Sequence, residues 1–196
     1  MDLMEQAPYF ITMLESRLKP KRFQHSLNVA QSAVELAQRF DADVDKAYIA
    51  GLLHDITKND SNEKQLQIFE KHGILLSDVE ECNPKLWHAM TGSLFVQDAF
   101  SITDEEIIGA IRYHTTGKAG MTLLEKVVFI ADYISAERDY KDVDVMRRLS
   151  TYSLEQASLY ALKFSLASLS EKQKPIHPDS LAYYNELVIQ TSKGLI

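Results

Sequence analysis

The sequence predicts an all-α fold, and three observations favour it. Glycine and proline are scarce, with seven and five residues among 196, about half of their usual share. No run of alternating β-branched and aromatic residues is typical of a strand. Helix start signals, in contrast, recur along the whole chain. Because 45% of the residues are hydrophobic, the chain can bury one sizeable core, and we expect a single domain over residues 1–196, a compact bundle of roughly eight to ten helices.

The helices are predicted from their start and stop signals. Proline is tolerated in the first helical turn, short polar side chains cap the free N–H groups there, and glycine suits the left-handed turn after a helix. The clearest signals are the two T-x-x-E capping boxes. The predicted starts are Pro20 for a helix through Phe40, Asp43 for one through His54-Asp55, Asn62/Gln65 for one ending at His72-Gly73, Pro84 for one through Phe100, Thr103/Glu106, Thr122/Glu125, Ser153/Gln156 for one to about Leu169, and Pro178 for the last.

Composition excludes several classes of protein. The net charge of −7 and the lack of a lysine/arginine stripe argue against nucleic acid as a partner. The longest apolar run, Val127 to Ala131, is too short for a membrane span, and the acidic start does not resemble a signal peptide. The single cysteine, Cys82, fits a reducing compartment. We therefore expect a cytoplasmic protein without membrane partners.

Two positions place metal-ligand side chains on apolar helix faces. His25 shares a helical stripe with Val29, Ala33 and Leu36, so its imidazole should point inward. Alone, such a histidine is usually an ordinary core residue. His54-Asp55 follows an apolar segment and places two titratable groups at the inner end of a buried helix. The dipeptide is weak evidence by itself, so its context must decide.

Asp132 supplies that context, because it interrupts the most apolar helix, predicted over Leu123 to Ile134. A buried, unpaired carboxylate costs several kcal/mol. No lysine or arginine lies one turn away, which favours a metal as its partner. Without metal, the like charges of Asp132 and Asp55 should raise the pKa of one of them.

His88 and His114 stand at predicted helix boundaries. Together with His25, His54-Asp55 and Asp132 they offer four imidazoles and two carboxylates. This set suits one or two divalent metals of borderline hardness, and it includes no thiolate that would favour a structural zinc site.

The order His25, His54-Asp55, Asp132 resembles the defining pattern of the HD phosphohydrolases. Further segments, with residues 20–140 as the core of the match, resemble the branch of symmetrical diadenosine tetraphosphate hydrolases. They are Arg22-Phe23-Gln24-His25-Ser26, Gly51-Leu52-Leu53-His54-Asp55-Ile56-Thr57-Lys58, Trp87-His88-Ala89, Tyr113-His114-Thr115-Thr116-Gly117, Ile130-Ala131-Asp132-Tyr133-Ile134, Glu137-Arg138 and Pro175-Ile176-His177-Pro178.

The resemblance implies a site and a reaction. Metal would be held by His25, His54, Asp55 and Asp132, with His88 and His114 completing or bordering the site. The family metal is iron, as one or two ions, although manganese, cobalt and zinc fit the same ligands. A metal-bound hydroxide would then attack phosphorus and split diadenosine tetraphosphate into two ADP.

Other residues are predicted to contact the nucleotide, an ADP- or GDP-like group. Lys58 and Arg138 are candidates for holding phosphate oxygens, so we count them with Asp55, His88 and His114 as catalytic. Thr115 lies in a small turn suited to phosphate or ribose. His177 resembles a C-terminal segment that closes over the nucleotide, so helices within 153–196 should pack on the core. Trp87 is more typical of the core than of a base platform.

Alternatives remain at this point. Another HD phosphohydrolase, acting on nucleoside mono- or triphosphates, would share the same metal ligands. A non-catalytic nucleotide-binding regulator would keep the fold, but loss of chemistry ordinarily removes a ligand, and none is missing. A bare helical interaction module leaves the charge of Asp132 unexplained. A homodimer is compatible with the sequence.

Overall fold

The computed structural model describes residues 3–196, and within them the chain is entirely helical and has no β-strand. This confirms the predicted fold class. The eleven α-helices of these residues are α1 Ala7–Arg17, α2 Pro20–Phe40, α3 Val44–Leu53, α4 Asn62–Lys71, α5 Asp78–Glu81, α6 Trp87–Phe100, α7 Glu105–Tyr113, α8 Leu123–Ile134, α9 Val143–Leu149, α10 Leu154–Glu171 and α11 Pro178–Ser192, with a short 3-10 helix at Pro84–Leu86.

Most predicted helix starts are confirmed. Proline opens α2 and α11 as expected. The side chains of Asp43 and Ser153 accept hydrogen bonds from Lys46 N and Gln156 N at the starts of α3 and α10. Thr122 forms a full capping box with Glu125 at α8. Helix α3 ends at Leu53, so His54 lies just beyond it in a turn rather than in its last turn.

Two predicted capping residues are wrong by one position. Helix α4 is capped by Ser61, whose side chain accepts from Lys64 N, and Asn62 is already the first helical residue. Helix α7 is capped by Asp104, whose carboxylate accepts from Glu106 N and Ile107 N, instead of by Thr103. In both places two cap-forming residues stand side by side, and their shared propensity cannot decide between them. Helices α1, α5 and α9 were not predicted.

The packing of the helices in the core brings the ends of several of them close to one another. Helix α2 packs on α3 and α8, α7 packs on α3, α6 and α8, and α10 joins α8 to α11. The stripe of α2 is buried as predicted, with His25 only 4% exposed. Trp87 packs in a small cluster with Phe69 and Met90, which confirms it as a core residue. No helix within residues 3–196 is both long and apolar enough to cross a membrane.

Gly117 lies against Tyr183 of α11, and this contact gives a stability prediction. Its φ of 61° is left-handed, and an added Cβ would lie 2.6 Å from Cδ1 of the fully buried Tyr183. Gly120 has a similar φ of 66°, but no described atom lies within 4 Å of its Cβ position. Gly117→Ala should therefore lower the free energy of unfolding by about 3 kcal/mol, and Gly120→Ala by only about 1 kcal/mol. Urea unfolding measures both, and equal losses would contradict this account of Gly117.

Candidate metal centre

Five helices bring the six predicted ligands together. His25 projects from the second turn of α2, and Asp132 from the last turn of α8. His54 and Asp55 occupy the turn after α3, His88 is the second residue of α6, and His114 directly follows α7. The helix ends converge because the apolar faces of these helices pack on one another. The sequence-predicted ligands are therefore neighbours in space, although they span more than half of the chain.

Three of the imidazoles are oriented by their own chain segment. Nδ1 of His54 lies 2.6 Å from Gly51 O, Nδ1 of His88 lies 2.7 Å from Lys85 O, and Nδ1 of His114 lies 2.7 Å from Ile111 O. A carbonyl oxygen can only accept, so Nδ1 carries the proton in each ring. With Nδ1 as the donor, the Nε2 atom of each ring faces the cluster and can bind a metal through its lone pair.

His25 is oriented by a distant residue instead. Its Nδ1 makes a short hydrogen bond to the carboxylate of Glu137. Asn28 and Ser135 also donate to Glu137, at 2.6 and 2.8 Å. A carboxylate on the outer nitrogen of a ligating histidine is a common feature of metal sites, where it fixes the ring and increases its basicity.

Asp55 lies at the centre of the imidazoles. Its Oδ1 is 3.0 Å from Nε2 of His88 and 3.7 Å from Nε2 of His114. Its Oδ2 is 3.4 Å from Nε2 of His54 and 3.8 Å from Nε2 of His25. All four inner nitrogens therefore face one buried carboxylate.

The donor atoms fit a metal. Among the described residues, the buried atoms His25 Nε2, His54 Nε2 and Asp55 Oδ1 make no hydrogen bond, although Asp132 Oδ1 is 3.0 Å from His25 Nε2. Unsatisfied buried polar atoms are costly and need an explanation such as an ion. Three sets of ligand atoms, each within 4.8 Å of one another, share members, which suits one or two ions. These sets are His25/His54/Asp55, His54/His114/Asp132 and Asp55/His88/His114.

The cluster keeps its ligands in the protonation states that a metal requires. Burial raises the pKa of Asp55, but the histidines His54, His114 and His88 outweigh it and hold that pKa well below its usual value. Burial lowers the pKa of His88 to about 4 and also lowers that of His114. At neutral pH His88 and His114 are therefore neutral imidazoles and Asp55 is an ionised carboxylate, as metal binding requires.

Asp132 differs from its prediction in three respects. Its side chain is 19% exposed, because it lies at the edge of the cluster, and Arg138 forms a short ion pair with it and also donates to Asp132 O. The arginine is six residues away, beyond the end of α8, where helical spacing no longer indicates contact. Burial raises the pKa of Asp132, but His25, His54 and Arg138 hold it well below its usual value. The predicted raising of one carboxylate pKa by the other is wrong.

Three cations surround the carboxylates. Arg22 Nη1 donates to Asp55 Oδ2 at 2.7 Å, Arg138 pairs with Asp132, and Lys58 Nζ lies 3.8 Å from Asp55 Oδ1 and 3.0 Å from His88 Nε2. Their side chains are 31%, 33% and 30% exposed. Each cation thus has one end at the cluster and one open to solvent, although the protein as a whole is acidic.

Thr115 and His177 lie outside this cluster and line a separate narrow cavity beside it. The buried Oγ1 atoms of Thr115 and its neighbour Thr116 have no partner among the described residues. His177 accepts from Asp179 N at the start of α11, and its Nε2 is 3.5 Å from Glu80 Oε1. Thr115 and His177 therefore belong to a second group next to the predicted metal ligands, whereas Lys58 and Arg138 lie at the ligand cluster itself.

Arg22 and Glu137 were not assigned roles from the sequence. Arg22 stands one turn before His25 on α2, and this i, i+3 spacing could have indicated it. Glu137 lies 112 residues from His25, and no local spacing signal points to their contact.

Residues 22–137 match the HD domain family. The chain belongs to this family, and the converging histidines and aspartates all lie within the matched residues.

More specific similarity is found with named relatives. The chain is 40% identical to the symmetrical bis(5'-nucleosyl)-tetraphosphatase of Bacillus subtilis, over 91% of this chain and 95% of that protein. It is 36% identical to the protein of the same name from Halalkalibacterium halodurans, over 92% and 96%. A crystal structure from Clostridium acetobutylicum, described as a predicted HD superfamily hydrolase involved in NAD metabolism, superposes with a TM-score of 0.91 at 34% identity, covering 94% and 97% of the two chains.

Proposed function

We propose that this protein hydrolyses diadenosine tetraphosphate symmetrically to two ADP. The single observation that carries the proposal is the convergence of four imidazole Nε2 atoms on Asp55, with Asp132 beside them and cations at the rim. The names of the Bacillus and Halalkalibacterium relatives support the choice of substrate and the symmetry of cleavage.

The proposed ligands are His25, His54, Asp55 and Asp132, with His88 and His114 able to complete a second position. A divalent metal held there would supply Lewis acidity, making water a better nucleophile at neutral pH and neutralising charge on phosphoryl oxygens. Iron is our proposal for the ion. The imidazole and carboxylate donors suit it, but they would also accept manganese, cobalt or zinc.

Arg22, Lys58 and Arg138 are proposed to bind the oxygens of the central phosphates. Each of them contacts a carboxylate of the cluster. A metal bound by the same carboxylates would compete for that charge, and the three partly exposed side chains could then turn to phosphate. The leaving group is itself a phosphate anion, so its departure requires charge stabilisation more than a strong acid.

We assign the nucleoside to the cavity of Thr115 and His177, which also includes Leu162 and Leu166 of α10. The partnerless hydroxyls of Thr115 and Thr116 would hydrogen-bond a ribose or a base. The cavity measures about 60 Å³, which is less than a nucleobase requires. Helices α10 and α11 would therefore have to move outward to admit the nucleoside, and we propose that the C-terminal segment then closes over it.

A cytoplasmic location and a homodimer remain predictions. Hydrolysis of mono- or triphosphates is the alternative activity, because the same ligands would serve it. The test is to incubate the purified protein and Fe(II), Mn(II) or Co(II) with a nucleotide panel and to separate the products. Diadenosine tetraphosphate should give ADP alone. AMP and ATP in equal amounts would contradict symmetrical cleavage. No turnover with any of the three metals would favour a non-catalytic nucleotide-binding regulator.

Lys58 gives a prediction on catalysis that is separate from metal binding. Lys58→Ala should lower hydrolysis by roughly ten- to a thousandfold, because it removes a cation assigned to phosphate. The metal content should stay near that of the wild type. Lys64→Ala, which removes an exposed lysine from α4, is the matched control and should change neither quantity. Metal loss in Lys58→Ala would show that the lysine supports the ligands instead, and unchanged kinetics would make it an ordinary surface cation.

A further inference from the structure

The orientation of His25 depends on a loop that is far away in the sequence. His54, His88 and His114 each bond to a carbonyl three residues earlier, so their own backbone fixes the ring. The outer nitrogen of His25 bonds to Glu137, which follows α8. Any change in the position of residues 135–138 would therefore move His25 and leave the other three imidazoles in place.

The same loop also holds the second ligand that lies at the edge of the cluster. Arg138 reaches back to the carboxylate and to the carbonyl of Asp132. Residues 135–138 form a turn with no helical hydrogen-bond ladder of their own, and such a segment needs outside contacts to remain in one position.

Arg147 of α9 supplies these contacts. Its Nε donates to Ile134 O at 3.2 Å, and its Nη2 donates to Ser135 O at 3.2 Å and to Arg138 O at 2.9 Å. Asp144 accepts from its remaining nitrogen at 3.1 Å. One planar guanidinium thus binds both the start and the end of the loop.

An ordinary helix cap does not account for this arrangement. Arginine often binds the last carbonyls of a helix, and the bonds to Ile134 and Ser135 would satisfy that role. The shortest of the three bonds goes to Arg138 O, beyond the end of α8. That bond fixes the main chain of the residue whose side chain holds Asp132.

We infer that Arg147 is a positioning residue for the metal centre. It acts on His25 through Ser135 and Glu137, and on Asp132 through Arg138. Ser135 links Arg147 to Glu137, because its carbonyl accepts from Arg147 and its hydroxyl donates to Glu137 Oε1 at 2.8 Å. The inference rests on the metal-binding part of the proposed function and does not depend on the substrate. Arg147 lies outside residues 22–137, which match the HD domain family.

The test compares Arg147→Ala and Arg147→Lys with Arg148→Ala. Arg148 is the exposed neighbour on α9, and its replacement by alanine removes the same charge. The first readout is Mn(II) affinity of the full-length protein, titrated by electron paramagnetic resonance. The second is the His25 side-chain signal in nitrogen-15 NMR spectra of the metal-free protein, assigned with His25→Gln. A general loss of stability would not move the His25 signal alone.

For Arg147→Ala we expect Mn(II) binding about tenfold weaker than wild type, as is usual for losses of outer partners. The His25 signal should shift, and the signals of His54, His88 and His114 should not. Arg147→Lys should lie between Arg147→Ala and wild type, since an ammonium cannot reproduce the planar fork. Arg148→Ala should match wild type in both readouts.

Wild-type Mn(II) affinity and an unmoved His25 signal in Arg147→Ala would overturn the inference. Equal weakening in Arg148→Ala would also overturn it, because the effect would then be one of net charge. If Arg147→Ala does not fold, Arg147→Lys is judged by the same two criteria. Neither readout involves a nucleotide. Failure to cleave diadenosine tetraphosphate would therefore refute the proposed substrate and leave this inference standing.

Discussion

Replacement of Asp55 by asparagine should lower the hydrolysis of diadenosine tetraphosphate by at least about a thousandfold. Asp55 is the residue that all four inner imidazole nitrogens face, at 3.0 to 3.8 Å. An amide keeps the size of the side chain but removes the anion, so metal affinity and catalysis should fall together. The measurement is the initial rate at saturating Mn(II), together with bound metal after gel filtration.

The matched control for Asp55→Asn is Asp60→Asn. Asp60 belongs to the same turn, and its carboxylate pairs with Arg17 and not with the imidazoles of the cluster. Its replacement should lower thermal stability and leave the activity of the folded protein within about threefold of wild type. Comparable loss of activity in both variants would mean that Asp55 acts through the shape of the turn and not as a ligand.

Asp132→Asn should bring activity near background and reduce the stabilisation that metal confers on the folded protein. Metal that binds only the folded state raises the melting temperature according to its affinity, and a lost anionic ligand weakens that effect. Without metal the variant should also melt below wild type, because Arg138 loses its ion pair and the carboxylate is favoured as an anion in the folded state. The difference between variant and wild type should be larger with Mn(II) than with chelator.

Asp98→Asn controls for charge, since Asp98 is a carboxylate paired with Lys71 and His72 on the surface of α6. Its melting temperature should shift on metal addition as much as that of the wild type. If Asp132→Asn shows the same metal-dependent shift as Asp98→Asn, the role of Asp132 is to hold Arg138, and it must be removed from the ligand set.

The ligand cluster could be predicted because each ligand carries a local signal. His25 lies on an apolar stripe, His54-Asp55 ends a buried helix, and Asp132 interrupts an apolar one. Resemblance to the HD pattern then joined these signals. Most helix starts are also set locally, by proline or by one capping side chain.

The contacts between distant segments could not be predicted in the same way. The bond of Glu137 to His25 and the three bonds of Arg147 depend on how the turn after α8 folds back. No spacing rule covers that turn. The partner of Asp132 could not be predicted for this reason, because Arg138 stands beyond the end of α8, outside the one-turn spacing at which helical neighbours meet.

Hydrolysis in water enriched in oxygen-18 tests the central claim most directly. Attack of water on either central phosphorus gives one ADP whose β-phosphate carries oxygen from water and one ADP that carries none. Mass spectrometry of the products should therefore find ADP as the only nucleotide, with a single label in half of the molecules and always on the β-phosphate. AMP and ATP among the primary products, or label on an α-phosphate, would contradict symmetrical attack by water at this site.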